Sequence, residues 1–105
     1  MSAKLKQLCR QVELAVNDVL ADSDDPALNA LYVNEVTPGA HVHQLIVILA
    51  NSWPEPGFDP AFAKAEVEKV YGLIREEVAA SIHRKKVPEL KFFVLWPGEM
   101  RVSGI

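Results

Sequence analysis

The chain lacks most of what would mark it for export, for a membrane or for catalysis. Its single cysteine, Cys9, excludes any internal disulfide and fits a reducing cytoplasm. Met1 to Leu8 alternate polar and apolar residues without a continuous apolar core, so no secretory leader is expected there. The longest apolar run, Leu45 to Ala50, falls far short of the roughly 20 residues that a spanning helix needs. No serine stands in a triad or nucleophile-elbow context. There is no internal repeat, and no sign of a second domain. Positive charge is not in excess either: 11 Lys and Arg against 14 Asp and Glu leave a net charge of −3. That disfavours nucleic acid unless the cations gather on one face. The expectation is a soluble cytoplasmic chain without enzymatic activity, forming one domain over residues 1–105, with an ordered core from about 3 to 96 and a short tail from 97 to 105.

What is present is periodicity. Leu5, Leu8, Val12, Ala15, Val16, Val19 and Leu20 recur at three- and four-residue steps, which predicts an amphipathic helix over about Ala3 to Ala21. Asp22-Ser23-Asp24-Asp25-Pro26 ends it, because proline removes a donor and acids disfavour a helix C-terminus. Leu31 to Val36 reads as a strand, Thr37 to Ala40 as a turn, and His41 to Ala50 as a second strand. The second half of that strand is apolar on both faces, so one end is expected to be more deeply buried. Asp59-Pro60 starts a further helix, with an aspartate cap and proline at the first helical position. Helical spacing continues through Ala63, Val67, Val70, Ile74, Val78 and Ile82. Gly72 interrupts it; a mid-helix glycine costs about 1 kcal/mol relative to alanine, so a bend between two helices is expected there. Leu90 to Trp96 alternates as a third strand. The order helix, strand, strand, helix, helix, strand predicts an α+β fold, with a small three-stranded mixed sheet and helices on one face.

That order, with a bend between consecutive helices, is the order of a type II KH-like domain. Gly72-Leu73-Ile74-Arg75, then Arg84-Lys85-Lys86-Val87-Pro88-Glu89-Leu90-Lys91-Phe92-Phe93, resembles the most characteristic part of the ribosome-binding factor A family. Asp25-Pro26 and Val33-Asn34-Glu35-Val36 are also similar to that family, and the resemblance runs from about residue 8 to residue 93. The chain departs from the family pattern at three places. Val70-Tyr71-Gly72 stands where Ala-x-Gly is usual, Ala27 follows Asp-Pro in place of arginine, and the C-terminal tail is not strongly basic. The resemblance implies a monomeric, non-catalytic factor that binds the free small ribosomal subunit and its ribosomal RNA. It also implies support for late maturation of that RNA, notably in the cold, with no cofactor, no DNA partner and no membrane.

Arg84, Lys85 and Lys86 form the densest positive cluster, with His83 before them and Lys91 beyond the proline. Cations at a helix C-terminus are favoured by roughly 0.3–1 kcal/mol each, which is the purely structural explanation. The functional one is phosphate contact. Eleven residues make almost three helical turns, so Arg75 and Lys86 would share a sector of one helix. Lys4, Lys6 and Arg10 on the first helix complete a one-sided basic surface, and all eight cations are candidate RNA-binding residues. Gly72 is read first as the helix bend; a single glycine makes no GxxG clamp. His41 and His43 alternate on a strand and could chelate a metal, but no carboxylate or cysteine set accompanies them, and no metal is expected. Asp22, Asp24 and Asp25 lack the glycine and distal glutamate of a calcium loop and read as turn and capping residues. Cys9 reads as packed, and Trp53 as a lid on the sheet. The alternative function is a KH-like protein-interaction module that has exchanged RNA for a protein partner through its acidic remainder, Glu66, Glu68, Glu76 and Glu77 with the Asp22–Asp25 turn.

Overall fold

Ser2 opens the first helix: its hydroxyl accepts the Leu5 N–H at 3.1 Å, satisfying one of the donors that every helix start leaves open. The structure, a computed structural model, describes residues 2–41, 43–52, 57–82 and 86–96. Its elements are α1 (Ala3–Asp22), α2 (Pro26–Asn29), β1 (Leu31–Pro38), β2 (Gln44–Asn51), α3 (Pro60–Lys69), α4 (Tyr71–Ile82) and β3 (Glu89–Val94). The strand order is β1-β2-β3, with β1 antiparallel and β3 parallel to β2. The sheet is therefore mixed, and the fold is the expected α+β, KH-like arrangement.

Each periodic stripe finds its place. Leu8, Val12, Ala15, Val16 and Leu20 of α1 join Val67, Ile74, Val78 and Ile82 of the later helices over Leu45, Val47, Leu49, Leu90 and Phe92 of the sheet. Burying each such leucine, isoleucine, valine or phenylalanine contributes roughly 1.5–3 kcal/mol. On β1 strict alternation would turn Val36 outward. A bulge between Val33 and Glu35 resets the register, so that Val36 faces Val47 and packs against the core. The Asn17 side chain steadies the edge there by accepting the Val33 N–H at 2.9 Å.

Several boundaries differ from the sequence reading. The short helix α2 was not expected. Asp25 caps it by accepting the Ala27 N–H at 2.9 Å, while Ser23 accepts the Asp25 N–H at 3.1 Å; Asp25 is thus a cap as expected, whereas Asp22 is the last residue of α1. β1 runs through Thr37 and Pro38, which an edge strand tolerates. β2 begins only at Gln44, because Gly39 and Gln44 close the turn through backbone and side chain (Gly39 N–H to Gln44 carbonyl, 2.8 Å; Ala40 N–H to Gln44 Oε1, 3.0 Å). The helix break falls at Val70 (φ −105°, ψ 16°), not at Gly72. Gly72 lies within α4, and a Cβ there would meet nothing. The break serves a change of packing partner, since α3 lies along β3 and α4 lies along α1. Val70 is the residue at the corner.

Candidate nucleic-acid interface

α1 and α4 run antiparallel. The end of α1 (Asp18, Val19, Asp22) shares one shallow groove with the start of α4 (Val70, Leu73, Glu77). Lys4 and Lys6, at the start of α1, are exposed, and so is Lys86, four residues beyond Ile82 in the chain. None of the three makes an ion pair among the described residues. The groove at the other end of α1 carries Asp18, Asp22 and Glu77. Charge is thus segregated along α1, which the net charge of −3 conceals.

This segregation opposes helix electrostatics. α1 has no acid in its first turn and no base in its last. Its lysines sit at the positive end of the macrodipole and its aspartates near the negative end, unfavourable by about 0.3–1 kcal/mol per charge. The arrangement is not one that stability alone would select.

The other candidates are placed as follows. Arg10 is exposed and bonded to Glu13 at 2.9 Å, so its charge is already partly answered. Arg75 is exposed in the second turn of α4, toward the acidic end. The shared helical sector for Arg75 and Lys86 is not found, because Lys86 lies in a bend before β3 and not in a helix. Arg84 and Lys85 lie outside the described residues, as do His83, Trp53 and the tail from 97 to 105. Lys91 extends from β3 onto the sheet face away from the helices, where its Nζ stands 5.7 Å from the Phe93 ring centre.

His41 and His43 precede β2, so the same-face argument for a metal pair fails. Their backbone carbonyls instead accept the Gln44 N–H (3.0 Å) and the Glu89 N–H (2.7 Å). Cys9 is packed against the core, and burial raises its thiol above the ordinary range, which does not favour a nucleophile. Lys69 is committed locally: its hydrogen bond and charge contact with Glu66, at 2.8 Å, hold the ammonium above its usual range.

Two features escaped the sequence reading. Lys64 was not among the candidate cations, yet its Nζ lies 5.6 Å from the Phe93 ring centre. The second is a small apolar cluster on the uncovered face, Ile48, Ala50 and Leu95 with Tyr32 and Ile46. The one available signal was the second half of β2, apolar on both faces.

Compared with known structures, the chain is similar to the crystal structure of ribosome-binding factor A from Thermus thermophilus. The TM-score is 0.69 at 18% identity, covering 85% of this chain and 93% of that one. The chain has the fold of that protein. No protein-family model and no curated protein matches the sequence. Among the described residues no helix is long and apolar enough to cross a membrane.

Proposed function

We propose that this chain, built on the fold of ribosome-binding factor A, is a non-catalytic factor that binds the free small ribosomal subunit. It does so through ribosomal RNA and supports late maturation of that RNA. The observation that carries the reading is that Lys4 and Lys6 stand exposed at the start of α1, against its macrodipole, and, like exposed Lys86, make no ion pair among the described residues. A polyanion would repay such an arrangement through counterion release. The Arg84-Lys85-Lys86 run, the densest positive cluster in the sequence, supports the same reading. The fold likeness supports the ribosomal assignment, as does the local likeness around Val87-Pro88-Glu89-Leu90. The chain acts as a monomer in the cytoplasm.

Co-sedimentation tests this. The chain is expected to travel with free small subunits at low salt and to leave them as salt rises. Replacing Arg84, Lys85 and Lys86 together by alanine should weaken the association with little loss of thermal stability. Full retention by the triple variant would remove this cluster from the interface.

The acidic groove of Asp18, Asp22 and Glu77 favours a second reading, a protein-interaction module. Filter binding against small-subunit RNA separates the two: tight, salt-sensitive retention disposes of a module that has lost RNA.

A further inference from the structure

Among the described residues nothing covers the apolar patch on the sheet face turned away from the helices. β2 contributes Ile46 and Ile48 to it, and β3 contributes Phe93, followed by Leu95 and Trp96. Ile48 and Leu95 are buried by their neighbours, but Phe93 and Trp96 stand 43% and 60% exposed. Together these residues line a shallow depression of about 500 Å³.

Among the described residues the charges against the Phe93 ring are positive. Lys91 reaches Phe93 from the face itself, and Lys64 reaches it round the β3 edge from α3, at 5.7 and 5.6 Å. Neither lysine makes an ion pair among the described residues. Among the described residues two acids share the face but not this corner. Glu89 accepts the Gln44 side-chain amide at 3.2 Å, four residues back along β3. Glu35 stands opposite Ile48 on β1, two strand spacings or roughly 10 Å from Phe93.

We infer that this face is a stacking platform for unpaired bases of single-stranded RNA, with Phe93 and Trp96 taking the bases and Lys64 and Lys91 the flanking phosphates. The inference rests on the RNA reading above and adds a second contact to it. Every base has a π-face, and an exposed ring beside a cation answers both parts of a nucleotide. A purely apolar protein partner would strip water from two lysines and give them nothing in return. The platform also follows Lys86, since β3 begins three residues after it. An RNA strand leaving Lys86 would run along β3, a path of about 20 Å at strand rise.

The test uses the full chain carrying Trp53→Phe, so that Trp96 is its one remaining tryptophan. It is titrated with a fluorescent oligouridine of about ten nucleotides and with an abasic ribose-phosphate chain of the same length, a site size typical of stacking platforms. Oligouridine is expected to quench Trp96 and to bind roughly tenfold or more tighter than the abasic chain. The double variant F93A/W96A should erase that difference while keeping its salt dependence, and F93Y/W96F should retain most of it. K64Q/K91Q should lower the log–log salt slope by about 1.4, at roughly 0.7 per single-strand phosphate lost. Equal affinity for the two chains, absence of quenching, or unchanged binding by F93A/W96A overturns the platform. The RNA reading above would then still stand or fall on co-sedimentation with intact subunits. A dimer seen by analytical ultracentrifugation without RNA and lost in F93A/W96A would assign the face to a second copy, and equally overturns the proposal.

Discussion

The Tyr71 hydroxyl accepts the backbone N–H of Leu90 at 3.1 Å, and its ring meets Phe92 edge-on with centres 6.0 Å apart. Glu89 and Leu95 turn their N–H groups toward the β2 side (to His43 and Leu49), so the N–H of Leu90 points to the open edge of the sheet. Tyr71 is the first residue of α4, directly after the corner at Val70. One side chain thus ties the helix break to the edge strand that carries Lys91 and follows Lys86. Tyr71→Phe keeps the ring and removes the acceptor. It should lower unfolding free energy by about 1–2 kcal/mol, read from a urea midpoint with unchanged slope. An unaltered midpoint would show that water replaces the hydroxyl without loss.

Gly72 lies in helical backbone with open space where a Cβ would stand. Gly72→Ala is expected to stabilise the chain by about 0.5–1 kcal/mol, through helix propensity and reduced freedom of the unfolded chain. A loss of stability would place the conformational demand of the corner at Gly72 after all.

Lys4 and Lys6 make opposite predictions for stability and for binding. Lys4→Gln with Lys6→Gln relieves an unfavourable dipole contact of about 0.3–1 kcal/mol per charge, so the melting temperature should rise. Affinity for small-subunit RNA should fall, with a shallower salt slope. A fall in both would mean that these lysines support the fold; unchanged affinity would remove them from the interface.

Cys9 offers a check on the packing of α1. Its thiol is raised by burial, so alkylation of the native chain near pH 8 should be at least about tenfold slower than that of the urea-unfolded chain. The linkage has a sign. A thiol whose folded value lies above its unfolded one adds stability that is present at neutral pH and lost as pH climbs past the ordinary thiol range. Equal labelling rates would show α1 opening freely from the core.

The fold was legible where a long stripe repeats. The spacing of Leu8, Val12, Val16 and Leu20 defines α1, and the Val/Ile density after Gln44 defines the strand at the centre of the sheet. α2 was not legible, since four residues hold too little of a period to stand out from a turn. The corner was displaced by two residues because glycine marks low helix propensity, whereas the real break follows a change of packing partner at Val70. Lys4 and Lys6 were legible as candidates, and the structure keeps them exposed at the start of α1. Lys64 beside Phe93 was not legible, because a helix residue and a strand residue far apart in the chain meet there only in three dimensions.

The central claim is that exposed cations, Lys4, Lys6 and Lys86 among them, hold ribosomal RNA. Its most direct test is the affinity of the unmodified chain for small-subunit ribosomal RNA across a series of salt concentrations. Log affinity should fall linearly with log salt with a slope of about −2 or steeper, as expected for three or more phosphate contacts at roughly 0.7–0.9 each. Binding that is absent at low salt, or that stays flat as salt rises, would contradict it.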